Sequence, residues 1–372
     1  MSIVHVLGRL PDPFLREDGT RVTPEEWSEY RKLLREKIVD IEFGGMPPKV
    51  DCVTVEPLNQ SDTGRWYRVT AFAGNRSLSF SLELSTPAGL VGKILRGDAP
   101  KCPVLLTGDG CYDSLESDTI AEANRRGYAV GIFNRLEVAN DNLSHSGGVY
   151  DLYPDYPDFT AISAWAWGYI TVMDALEQLP FVNAAEVGIT GHSRGGKTVL
   201  LAAACDERIR YVCPNNSGTH GCAAYRFAVT EQGENNTRSE RLGDMLDAFP
   251  FWMGKKLTPY RDCVEELPYD MHFFGALIAP RGYLQCEGMQ DYWINPRGSW
   301  QTFQAVKAAY RYLGCEEHAG AWFRPGQHRH KLPDFTEFLD FMDRMREEKP
   351  LAEHLQLNPY PADGKIFDWD EV

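Results

Sequence analysis

The apolar and polar positions divide the chain into three stretches of different rhythm. Residues 1–22 show no period and are interrupted by Pro11 and Pro13, so they are expected to be irregular. Thr23-Pro24-Glu25-Glu26 combines an N-cap threonine, a proline at the first helical position and a capping-box glutamate. That combination predicts a helix to about Phe43, stopped by Gly44-Gly45. From Val50 to Leu84, β-rich segments at 53–55, 67–72 and 77–84 are separated by turn residues, the pattern of an antiparallel meander at a sheet edge.

After Pro100 the period changes. Short apolar runs at 103–106, 128–133, 186–190, 210–214, 281–286 and 321–324 alternate with helical patterns at 115–126, 162–179, 197–205 and 273–278. Apolar strands spaced by helices imply a mostly parallel sheet covered on both faces, a three-layer α/β sandwich with an antiparallel N-terminal edge. With no Ser/Gly-rich linker and no repeating period, the 372 residues are expected to form one domain. Within it, 1–49 would be an N-terminal extension with one helix, 50–345 the catalytic core and 346–372 a C-terminal tail.

Composition narrows the function. A 43% hydrophobic, 12% aromatic chain is ordinary for a globular protein. Its net charge of −15, with no long Lys/Arg run, argues against nucleic acid as a partner. No stretch approaches the ~18 apolar residues of a membrane span. The nine cysteines lack paired spacing and several sit in strand-like apolar runs, as expected of buried thiols in a reducing compartment. Met1 to Leu15 carries no basic flank followed by an apolar run, so the expected location is cytoplasmic.

The chemistry centres on Gly191-His192-Ser193-Arg194-Gly195. Gly-x-Ser-x-Gly alone is weak, but here it follows a predicted strand and opens an Ala/Leu-rich helix, the setting of an α/β-hydrolase nucleophile elbow. A Cβ at either flanking glycine would crowd the tight turn that carries Ser193. In this architecture the acid and then the histidine follow the serine in the chain. His328 stands in the loop leaving the last predicted strand, with His330 two residues on as its competitor. Asp291 stands in the loop after the strand 281–286, with Glu287 as its competitor, and His272 is expected to be structural. No HxH or HExxH pair lies on a predicted helix and no Gly-rich phosphate or dinucleotide fingerprint is present, so neither metal nor cofactor is expected. His328-Arg329-His330 is a two-residue spacing in a loop and carries little weight for a metal.

Gly191-His192-Ser193-Arg194-Gly195-Gly196-Lys197 resembles the glucuronoyl esterase signature, Ser-Arg followed by two residues and a lysine. The likeness continues through Asp206-Glu207-Arg208, Asn216-Ser217-Gly218, Leu267-Pro268-Tyr269-Asp270-Met271-His272, Asp291-Tyr292-Trp293-Ile294-Asn295-Pro296-Arg297-Gly298 and Gly326-Gln327-His328, covering roughly residues 100–345. The resemblance implies hydrolysis of esters of 4-O-methyl-glucuronate, and hence a carbohydrate ester as the partner molecule. It implies Ser193 as nucleophile, His328 as base, Arg194 at the oxyanion, and Lys197 and Trp293 against the sugar. Glu231 or Glu234 would correspond to a sugar-contacting glutamate, with Arg226 lining the same cleft.

One position departs from the pattern. Many members carry the triad acid where this chain has Asn216, and an amide supplies no negative charge for an imidazolium. The acid must then come from the later loop, where Asp291 stands. A short-acyl esterase acting on acetylated sugars, or a carbohydrate-binding relative with weakened catalysis, are the competing functions.

Overall fold

Alternation along the strands decides the layering. The computed structural model describes residues 2–112 and 115–371. Its strands are β1 (Ile3–Val6), β2 (Cys52–Gln60), β3 (Gly64–Ala73), β4 (Arg76–Ser85), β5 (Cys102–Thr107), β6 (Ala129–Phe133), β7 (Val182–His192), β8 (Tyr211–Asn215), β9 (Phe227–Thr230), β10 (Gly282–Gly288) and β11 (Ala319–Arg324). Nine of them form one sheet in the order β11-β10-β8-β7-β5-β6-β4-β3-β2. Neighbours from β6 through β5, β7, β8 and β10 to β11 pair parallel, whereas β6 to β4, β4 to β3 and β3 to β2 pair antiparallel. The predicted antiparallel edge and parallel centre are both present.

Successive residues of the central strands enter different apolar clusters. Val104 and Leu106 join one core with the helices Trp27–Phe43, Ala161–Leu176, Arg194–Cys205, His272–Ile278 and Pro296–Tyr312. Leu105, Val130, Cys213 and Leu284 face the other, closed by Ser117–Arg125 and Leu332–Arg346. A strand buried on both faces must be apolar throughout, which is why these runs lack polar alternation.

Two expectations need correction at the N-terminus. The segment Ile3–Val6 is not irregular: as β1 it pairs antiparallel with β9 in a separate two-stranded sheet. Its partner is 221 or more residues away in sequence, so no local pattern announces it. The first helix starts at Trp27 rather than at Pro24. Thr23 N–H donates to the Glu26 carboxylate at 3.0 Å, giving one half of a capping box, while residues 24–26 form a tight turn. The helix ends as expected at Gly44, with φ +69°. The expected C-terminal tail ends at Val372, outside the described residues. Ahead of it Ile366, Phe367 and Trp369 are buried in the main core.

Candidate active site

The loops leaving the carboxyl ends of β7, β8, β10 and β11 meet around a cavity of about 170 Å³. Its lining includes Ser193, Arg194, Lys197, Glu240, Trp252, Asp291, Trp293 and His328. Ser193 holds φ +57°, ψ −118°, a region that non-glycine residues avoid, at the turn between β7 and the helix Arg194–Cys205. Its N–H is tied to the Asn215 carbonyl at 2.9 Å. Both glycines of the motif are required by close approach: a Cβ on Gly191 would lie 2.4 Å from the Gly195 carbonyl oxygen, and one on Gly195 would lie 2.4 Å from Oδ1 of Asp109. Asp109 also accepts the His192 N–H at 2.8 Å and is paired with the buried Arg135.

Asp291 and His328 come together. Nδ1 of His328 donates to Oδ2 of Asp291 at 2.5 Å, which fixes the tautomer and leaves Nε2 as the acceptor. Neither Nε2 nor the Ser193 hydroxyl hydrogen-bonds to a described residue, although both side chains line the one cavity. Such bonds commonly tighten only once substrate is bound. Asn216, at the position that departs from the pattern, donates through Nδ2 to the same Asp291 oxygen at 2.8 Å. Its own Oδ1 accepts from Arg324 at 3.3 Å. The amide supports the carboxylate that replaces it.

The competitors lie elsewhere. His330 is buried and stacked on Phe335, ring centroids 3.9 Å apart, and burial pushes its imidazole well below the ordinary range. Glu287 is fully buried with both carboxyl oxygens unpartnered among the described residues, and burial drives its carboxyl well above the usual range. His272 is buried against the Pro11 carbonyl, also pushed down by burial, to about 3. His192, 4.2 Å from the His328 ring, is held down at about 4 by burial and then by His328, so it stays neutral beside the imidazole.

The sugar-facing candidates divide. Lys197 is buried, and its Nζ donates to the carbonyls of Ser217 and Thr219, which leaves one donor for the cavity it lines. Burial lowers its ammonium while nearby Glu240 opposes that shift. Trp293 lines the cavity, is 43% exposed, and carries the Arg238 guanidinium over its ring at 5.2 Å. Arg226 is not at the cleft: it is buried in an ion pair with Asp270 at 3.1 Å and donates to the Tyr269, Leu267 and Glu265 carbonyls. Glu231 and Glu234 are exposed, and Glu231 borders a separate groove with Gln290 and Tyr292. These assignments are corrected by the fold: none of the three lines the cavity, Arg226 being taken up by its ion pair and Glu231 by the separate groove.

The glutamate in the cavity is Glu240, which sequence patterning missed. Its Oε1 accepts the Thr219 N–H at 2.7 Å, and burial raises its carboxyl while Lys197 opposes that shift. Gly218, at φ +65°, makes room for it, since a Cβ there would lie 2.2 Å from Oε1. Glu240 sits in a polar run, Arg238-Ser239-Glu240-Arg241, that resembles any solvated loop, and only this pairing across the fold gives it away.

Residues 69–314 match the family described as "Glucuronyl esterase, fungi". The chain is 30% identical to the 4-O-methyl-glucuronoyl methylesterase 1 of Wolfiporia cocos over 97% of its own length and 86% of the relative's. This chain belongs to the glucuronoyl esterase family. A second family member, the 4-O-methyl-glucuronoyl methylesterase of Schizophyllum commune, is 30% identical over 86% of this chain and 77% of its own. Among solved structures, the carbohydrate esterase family 15 glucuronoyl esterase of Caldicellulosiruptor kristjansonii superposes with a TM-score of 0.80 at 27% identity, covering 96% of this chain and 97% of that one. The glucuronoyl esterase of Sporotrichum thermophile, at 22% identity and a TM-score of 0.76 over 99% and 98% of the two chains, shares the fold.

Proposed function

We propose that this chain is a serine esterase that hydrolyses esters of 4-O-methyl-glucuronate-type uronic acids through an acyl-enzyme on Ser193. The observation that carries the reading is one cavity holding a serine elbow and a His328–Asp291 pair together with buried Lys197, buried Glu240 and Trp293. A volume of about 170 Å³ lies below the roughly 300–1,000 Å³ of pockets for drug-sized ligands, which suits a single sugar ring.

The chemistry follows from the placement. Nε2 of His328 takes the Ser193 proton as the hydroxyl oxygen attacks the ester carbonyl, while Asp291 stabilises the imidazolium. The tetrahedral oxyanion forms at the N-terminus of the helix Arg194–Cys205, where the Arg194 N–H and guanidinium are available as donors. One such donor is worth about 3 kcal/mol of barrier. His328 then protonates the departing alcohol, and water, activated by the same imidazole, releases the uronic acid. Lys197 and Glu240 present a donor and an acceptor to sugar hydroxyls, and Trp293 offers an apolar face with one N–H.

The names of the relatives support the substrate class: they are 4-O-methyl-glucuronoyl methylesterases, and the Sporotrichum thermophile enzyme has been solved with methyl 4-O-methyl-β-D-glucopyranuronate. The deciding experiment compares methyl and benzyl glucuronate esters with p-nitrophenyl acetate, using Ser193→Ala as control. Hydrolysis of the uronate esters, abolished by Ser193→Ala, is expected. Activity on acetate alone would overturn the assignment in favour of a short-acyl esterase.

A further inference from the structure

The proposed oxyanion arginine is a long side chain, 30% exposed, and a free arginine loses rotamer entropy when held in one geometry. Here it is held from two directions. Nη1 of Arg194 is paired with Oδ2 of Asp141, and the guanidinium lies over the Trp252 ring with its carbon 4.7 Å from the centroid. The second Asp141 oxygen, Oδ1, accepts Nε1–H of that same Trp252 at 2.8 Å. One carboxylate therefore fixes both the end of the arginine fork and the platform beneath its face. No other described residue accepts a hydrogen bond from the guanidinium, so its remaining N–H groups are left for the cavity that Arg194 lines.

Each part of this clamp is itself anchored. Trp252 stacks on Phe249 with centroids 4.0 Å apart and an interplanar angle of 7°. Its carbonyl is bonded to Nε2 of His220 at 3.0 Å, and His220 is held by the buried Glu42 at 2.5 Å. Asp141 comes from a loop closed by its own hydrogen bonds, Ser144 N–H to Asn142 at 2.7 Å and Gly147 N–H to Asp151 at 2.9 Å. Its side chain is 13% exposed.

We infer that Asp141 is a positioning residue of the esterase, holding Arg194 over Trp252 so that the free edge of the guanidinium meets the developing oxyanion. The negative charge of Asp141 works against an oxyanion, so its contribution is geometric and is delivered through Arg194. The inference rests on the assignment of Ser193 as nucleophile and Arg194 as oxyanion donor.

The test is a double-substitution cycle on a methyl glucuronate ester. Asp141→Ala is expected to lower kcat about 10- to 100-fold with KM changing less than about threefold, the signature of an interaction made in the transition state. In an Arg194→Ala background the same substitution is expected to change kcat by no more than about twofold, because its target is already gone. Asp141→Asn keeps an oxygen acceptor and is expected to recover part of the loss; it carries the same cycle should Asp141→Ala fold poorly. An undiminished loss in the Arg194→Ala background, or a rise in KM at unchanged kcat, would overturn the inference. A wild-type chain inactive on every uronate ester would instead overturn the assigned reaction, so the two failures are distinguishable.

Discussion

At the scale of single residues, two carboxylates close together in sequence have opposite environments. Asp291 accepts from His328 and Asn216, whereas Glu287 is buried without a hydrogen-bond partner among the described residues. Asp291→Asn is expected to reduce kcat on a uronate ester roughly a hundred- to ten-thousandfold, because an amide neither selects the Nδ1–H tautomer nor stabilises the imidazolium. Glu287→Gln is expected to leave kcat close to wild type. The two also differ in stability. The Glu287 carboxyl is pushed well above its ordinary 4.5 by burial, so the folded chain holds a proton that the unfolded chain gives up. Stability from this group is complete below pH 4.5 and falls as pH rises towards its folded value. Urea midpoints should therefore show Glu287→Gln gaining on wild type as pH rises above the ordinary carboxyl value of 4.5, and a gap that shrinks as pH rises would contradict the buried neutral acid.

At the scale of elements, the elbow depends on closeness between β7, the following helix and the segment after β5. Asp109 reaches in to take the His192 N–H, and Gly195 permits it, with no space for a methyl group at 2.4 Å. Gly195→Ala must displace Asp109 or the helix start, and overpacking of this kind costs about 1–3 kcal/mol. Because the displaced atoms neighbour Ser193 and the Arg194 N–H, kcat is expected to fall by a larger factor than KM rises. Steady-state kinetics beside a thermal melt would show it, and unaltered kcat would mean the elbow tolerates the shift. The pattern Gly-x-Ser-x-Gly makes this element legible in the sequence, since both glycines follow from a local turn. Nothing local points to Asp109, whose contact with His192 spans 83 residues of chain.

At the scale of the whole molecule, Arg226 ties distant segments together. Its guanidinium pairs with Asp270 and donates to the Glu265, Leu267 and Tyr269 carbonyls, and its own carbonyl accepts the Leu7 N–H at 2.7 Å beside β1. Removing one partner of a buried pair costs about 3–5 kcal/mol. Arg226→Ala is expected to lose about that much in urea unfolding while kcat/KM of the folded enzyme is retained. A raised KM with unchanged stability would return Arg226 to the substrate cleft.

Whatever depends on local period and local turns was legible along the chain. The parallel strands could be read from apolar runs, the edge meander from alternation, the elbow from its glycines, and the positions of Asp291 and His328 from chain order. The likeness of the motif around Ser193 carried the family. Which side chains share a cavity was a matter for the folded chain. It set Glu240 rather than Glu231 or Glu234 beside Lys197, moved Arg226 into an ion pair, and brought Asp141 to Arg194 across 53 residues. It also gave Asn216 its use, as a donor to the acid that stands in its place. Strand and helix periods arise from a residue's near neighbours, whereas a charged side chain's partner is chosen by packing between segments far apart in the chain, and that choice leaves no trace in any window of sequence.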